Sequence, residues 1–187
     1  GTWDDVHQAG TILADEVWTA LAAGLTPVKP ALRYASVEML LPMEPPPEKK
    51  IIESFLHQVS SEGKHTLRHL WAERLLNRLQ RGETLPSAIP VTVHAIQLGE
   101  TLRIVGLEGE PVAELGLLIS DFYSAGVTFA LGYTNGAQLY LPTSSMIDEG
   151  GYEVDSYYEY GFPAPLRKGI EHVLIRALEE LRSRGIR

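Results

Sequence analysis

The chain has 187 residues, 16 Lys and Arg against 24 Asp and Glu, a formal charge of −8, and 44% apolar residues. At that length a chain buries roughly 70% of the surface its unfolded form exposes, so it needs no staple to fold. Cysteine is absent, which excludes disulfides, thiolate zinc sites and cysteine nucleophiles. The acidic balance argues against a nucleic-acid partner. No run approaches the roughly 18 apolar residues that a membrane-crossing helix needs. The start, Gly1-Thr2-Trp3-Asp4-Asp5, has no initiator Met and no basic region followed by an apolar stretch, so no signal peptide is visible and a truncated parent is expected.

Apolar residues at helical spacing, Val6, Ile12, Leu13, Val17, Ala20 and Leu21, predict an amphipathic helix from Trp3 to Ala23, with Gly24 as its left-handed cap. Ala31 to Leu41 alternates and is rich in residues that favour a strand. Pro42 to Pro47 holds four prolines and reads as an extended connector. Glu48 to Ser60 and Lys64 to Arg81 read as a helical hairpin punctuated by Gly63 and Gly82. Ile89 to Leu98 and Thr101 to Leu107 flank Gly99-Glu100, a connection that closes an antiparallel hairpin.

Pro111 is expected to open a helix running to about Tyr123, and Gly126 to stop it. Val127 to Gly132 reads as a buried strand, and Asn135-Gly136 as a turn before Gln138 to Leu141. Pro142 to Gly161 has no clear period and is expected to be an irregular, functional segment. Pro163 to Arg182 closes the chain as a helix with Ile170, Val173, Leu174, Ala177, Leu178 and Leu181 on one stripe. The sum is a mixed α/β domain whose sheet is largely antiparallel. Residues 1–187 form a single domain or the C-terminal fragment of a larger one.

His65 and His69 share a helix face with Glu73, as three metal ligands would, but no glutamate stands between the histidines to act as a base. A solvated face is the better reading. His94 sits in an alternating strand as a hydrogen-bonded sheet residue. Ser144 and Ser145 lack the Gly-x-Ser-x-Gly frame of a hydrolase elbow. Gly106-Leu107-Glu108-Gly109-Glu110 is placed like a phosphate loop, yet its two acidic side chains oppose an anion. Glu110 reads either as a helix N-cap or as a carboxylate held to face a cation. Tyr140, Tyr152, Tyr157, Tyr158 and Tyr160 form an aromatic set that packs over the sheet or lines a pocket. A glycan-binding module rests on that aromatic content alone.

Four segments in order carry a resemblance: Gly109-Glu110-Pro111, Gly132-Tyr133-Thr134-Asn135-Gly136, Tyr140-Leu141-Pro142-Thr143 and Glu149-Gly150-Gly151-Tyr152-Glu153. Together they resemble the C-terminal part of the neutral/alkaline, non-lysosomal ceramidase family. The spacing is similar across Val91 to Glu153, and the opening helix looks like the one that follows the family's second histidine motif. The resemblance implies half of an α/β/β/α catalytic domain and a zinc-dependent amidohydrolase acting on the N-acyl amide of ceramide-like sphingolipids. It places two zinc ligands on Glu110 and Tyr140 and an oxyanion-stabilising phenol on Tyr152. It also implies two partners, a lipid amide substrate and the N-terminal half of the same protein, which supplies the zinc-binding histidines. None of the six histidines here stands in those motifs, so the chain alone is expected to be inactive. Ala137 and Leu139 stand where the family commonly has an aromatic and a glycine, which loosens the transfer of ceramide itself. The rival reading is a non-catalytic relative serving binding or structure.

Overall fold

A computed structural model describes residues 1–62 and 66–187, and of 59–62 the backbone only. Helix α1, Trp3–Ala23, starts from a capping box in which Thr2 and Asp5 satisfy each other's backbone amides. Gly24 ends it at φ 87° and ψ 151°, outside the left-handed helical well expected for it. After α1 come β1 (Leu32–Pro42), α2 (Lys49–Glu62), α3 (Leu67–Gln80), β2 (Ala88–Leu98), β3 (Leu102–Leu107) and β4 (Glu110–Pro111). Then follow α4 (Ala113–Phe122), β5 (Val127–Leu131), β6 (Tyr140–Leu141), α5 (Ser144–Glu149), α6 (Tyr152–Asp155), a 3₁₀ turn Ser156–Tyr158, and α7 (Ile170–Ser183).

The main sheet has the order β1-β2-β3-β5. Strands β1 and β2 run antiparallel in register from Leu32 opposite Leu98 to Pro42 opposite Ala88. The Gly99-Glu100 turn returns the chain as β3, antiparallel to β2. Strand β5 lies parallel to β3, which requires the crossover that α4 provides. Glu110–Pro111 and Tyr140–Leu141 form a separate two-stranded parallel ladder. The architecture is thus mixed α/β with a mostly antiparallel sheet, and seven α-helices stand among the described residues.

Alternation along the strands sends one side-chain set inward. Ala35, Val37, Met39 and Leu41 from β1, Ile89, Val91 and Val93 from β2, and Val105 and Leu107 from β3 are all buried. They meet Leu115 and Ile119 of α4 and Ile170, Leu174, Leu178 and Leu181 of α7 in one core. A satellite cluster of Ile52, Ala72 and Leu75 joins α2 to α3. Arg103 of β3 is 1% exposed in the main layer. Its guanidinium donates to the carbonyls of Tyr123 and Ala125 and to Thr128 Oγ1, and lies 4.8 Å from the Tyr123 ring. Burial, foremost, holds its pKa below the usual arginine value.

Several boundaries differ from expectation. Pro111 belongs to β4, and α4 begins two residues later with Val112 as its N-cap. Val127, Phe129 and Leu131 of β5 are exposed where a buried strand was expected. The segment after Pro142 is folded into two short helices and a 3₁₀ turn, because Thr143 caps α5 and Gly150-Gly151 break it from α6. The last helix begins at Ile170, since Gly169 takes φ 102° and the segment holding Pro163 and Pro165 is not helical. Gly63 and the expected helix start at Lys64 lie outside the described residues. No helix among the described residues is long and apolar enough to cross a membrane.

Candidate functional site

The short β4–β6 ladder creates the site. Glu110 stands directly opposite Tyr140 in the register, and Glu110 N–H donates to the Leu139 carbonyl at 2.9 Å. Two glycines permit the close backbone approach. A Cβ on Gly109 would lie 2.9 Å from the Leu139 oxygen, and one on Gly132 would lie 2.7 Å from Pro111 Cδ. Beyond Gly132 the chain turns through Tyr133 and Asn135, both non-glycine residues with positive φ, 54° and 63°. Asparagine tolerates that region, whereas a bulky tyrosine does not do so readily. Backbone bonds hold the turn in place, Tyr133 N–H to the Gly109 carbonyl at 2.8 Å and Thr134 N–H to the Leu107 carbonyl at 3.0 Å. Strain of this kind persists where the surroundings over-determine it, and it collects at functional sites.

The Tyr133 and Tyr140 hydroxyls lie beside the Glu110 carboxylate, and its pull on their protons, more than burial, pushes each phenol up to about 12. Tyr160 stands close enough to feel the same carboxylate, though burial is the larger cause of its raised pKa. The Tyr152 ring packs edge-on against Tyr140, centroids 5.6 Å apart. Its hydroxyl donates to Glu159 at 3.1 Å, which raises its pKa. Glu110, Tyr140 and Tyr152 therefore gather at one place, from three segments that are 30 and 12 residues apart.

The expected N-cap role of Glu110 is overturned. Val112 caps α4 without any side-chain bond, and Glu110 sits in a strand facing phenols. The glycines before Tyr152 shape the backbone. A Cβ on Gly150 would meet nothing within 4 Å, so the pair serves backbone conformation, φ 75° and 111°, and not close approach.

Other candidates resolve into structural parts. His69 is 4% exposed and lies 3.2 Å from Glu73, so it does not belong to a solvated face. His65 lies outside the described residues. His94 hydrogen-bonds Tyr34 and Asn135 from its two ring nitrogens, as a sheet residue should. Ser144 Oγ donates to Glu171 and accepts from Gly169 N–H, tying α5 to the start of α7. Glu108 accepts from Thr92 N–H and Gln138, which commits the loop's first carboxylate to structure. Among the described residues, no group of three His, Cys, Asp or Glu lies close enough to hold a metal ion.

No protein-family model, curated protein or solved structure matches this chain. The site's reading rests on its own geometry. Two of its members, Tyr133 and Glu159, carried no assigned role in the sequence. The glycines flanking Tyr133 were the available signal, whereas the hydrogen bond from Tyr152 to Glu159 depends on how α6 turns.

Proposed function

We propose that this chain is the C-terminal part of a zinc-dependent amidohydrolase similar to neutral ceramidase, completed by histidines from an N-terminal half. The observation that carries the reading is the convergence of the Glu110 carboxylate and the Tyr140 hydroxyl on adjacent strands, with the Tyr152 phenol against them. The residues fit half of a zinc site. Carboxylate oxygens are ordinary zinc ligands, and a phenol beside a carboxylate marks a position where a cation could replace the proton. Two oxygen donors are too few for a firm site, since catalytic zinc keeps three protein ligands.

When bound, zinc supplies Lewis acidity and lowers the pKa of its water to about 7. The chain's own residues do the rest. Glu110 and Tyr140 are fixed by the β4–β6 ladder, so their oxygens keep one spacing. Tyr152 is half exposed and keeps its proton at neutral pH. Its hydroxyl can turn from Glu159 to donate to a carbonyl oxygen as charge builds there. A substrate with an amide and apolar chains suits the aromatic surroundings of Tyr152 to Tyr160.

The reading is tested by zinc titration of this chain and by hydrolysis of a fluorescent ceramide by the longer protein. In the titration, Glu110→Gln should abolish the weak zinc binding. In the longer protein the same variant should lose metal-dependent turnover. Turnover retained in the variant would exclude Glu110 as a ligand, and zinc bound without turnover would move the substrate away from ceramide. A chain that binds zinc equally well with and without Glu110 would favour a non-catalytic binding or structural role.

A further inference from the structure

Helix α3 faces the 3₁₀ turn and the residues after it across an open cleft of about 320 Å³. That volume lies at the lower end of clefts that hold small ligands, roughly 300–1,000 Å³. One wall is apolar. Leu67, Leu70, Trp71 and Leu75 from α3 stand opposite Tyr158 and Tyr160. Leu67 and Leu70 remain 62% and 42% exposed, a cost that a bound apolar chain would remove.

The wall is pre-formed. Trp71 Nε1 donates to the Phe162 carbonyl at 2.7 Å, and its ring meets Tyr157 and Tyr158 edge-on at 5.8 and 6.4 Å. A rigid wall of this kind loses little freedom when a ligand arrives.

The cleft's charge is opposite to that of the molecule. The chain carries −8, yet Arg74 and Arg78, one helical turn apart, both line the cleft. Arg78 Nε lies 3.0 Å from Glu83. Arg74 makes no ion pair among the described residues. The remaining acidic group in the lining, Glu159, already accepts from the Tyr152 hydroxyl. An incoming anion would therefore find Arg74, unpaired among the described residues, beside an apolar wall, with the Glu159 carboxylate held toward the Tyr152 hydroxyl.

We infer that this cleft binds the carboxylate end of a single-chain lipid, with Arg74 taking the head and Leu67, Leu70 and Trp71 the first part of the chain. Guanidinium suits a carboxylate because its fork of N–H donors matches the two oxygens. A bare inorganic anion would leave the leucines exposed, and a cationic amphiphile would meet Arg74 as a like charge. The inference stands on the cleft's own residues and does not require a metal at Glu110. Glu159 and Tyr160 join the cleft to Tyr152 and Glu110, so a long-chain amide held at that site would extend toward it.

The test is isothermal titration calorimetry of this chain with dodecanoate and decanoate below their micelle concentrations, beside dodecyltrimethylammonium and inorganic phosphate. Dodecanoate should bind with saturation, decanoate about tenfold more weakly, and the other two not measurably. Arg74→Gln and Leu70→Asp, both at exposed or cleft-lining positions, should each weaken dodecanoate about tenfold or more. Glu110→Gln should leave that affinity unchanged, which separates this cleft from the metal reading. Equal binding of the anionic and cationic amphiphiles, or full affinity in Arg74→Gln, would overturn the inference. Absence of dodecanoate binding would overturn it as well.

Discussion

The two faces of the main sheet come from the same four strands, yet they differ in what they meet. Inward, Val37, Met39, Val93 and Val105 lie under α4 and α7. Outward, the register lines up Leu32, Leu98, Leu102 and Val127 in one row, and Tyr34, Ile96, Ile104 and Phe129 in the next. Tyr34, Ile96 and Phe129 of the second row are exposed, as are Leu32 and Val127 of the first. An antiparallel sheet with one wet face ordinarily alternates apolar-in with polar-out. Here the outward face is apolar in these two rows and turns polar beyond them, at Ser36, His94, Glu38 and Thr92. Helix α1 repeats the mismatch, since none of its residues is buried and Trp3, Leu13 and Trp18 project at 80%, 68% and 71%. Contiguous apolar surface of this kind marks a face built to be covered. An N-terminal half of the sort proposed above would cover it.

The largest effect expected is on the sealed side. Leu178→Ala in α7 removes a fully buried side chain and should cost about 2–5 kcal/mol in urea unfolding. Phe129→Ala on the open face should cost less than about 0.5 kcal/mol in the isolated chain. A large loss for Phe129→Ala would mean that the outer face is covered in solution, and sedimentation would show self-association.

Arg103→Ala comes next, at about 1.5–3 kcal/mol, because it removes charged hydrogen bonds from the buried Tyr123 carbonyl and the part-buried Ala125 carbonyl. Its neighbour on the open face, Ile104→Ala, provides the contrast within one strand and should cost less.

A smaller effect belongs to the phenols. Tyr133 and Tyr140 are raised above the unfolded value of 10 to about 12. Between these values the unfolded chain has given up protons that the folded chain keeps, so the native state binds more protons and loses stability as pH rises. The contribution is complete below about pH 10 and lost by about pH 12. Phenolate absorbance should show the two groups titrating late, and Glu110→Gln should bring both back toward 10.

The smallest effect should follow removal of residues 1–24. Since α1 buries nothing, unfolding free energy should change by no more than about 0.5 kcal/mol. A larger loss would place α1 against the sheet in solution.

Much of the secondary structure was legible because its signals are local. The helical spacing of α1, the Gly99-Glu100 turn, the alternation of β1 and the stripe of α7 each depend on neighbours within a few residues. Pro111 misled because proline suits the first turn of a helix and a short edge ladder alike, and only pairing with Leu141 decides between them. Residues 142–161 looked irregular because helices of four to six residues are too short to show a period.

By itself the sequence determined the class of fold and the two apolar stripes, since alternation and helical spacing are properties of the covalent chain. Tertiary structure alone decided which stripes found cover and that Glu110 faces Tyr133 and Tyr140. It also decided that Arg74 and Arg78 line one cleft with Tyr158 and Tyr160. Each of these requires segments distant in the chain to meet, and the free energy that selects such meetings is spread over the whole core rather than written in any one segment.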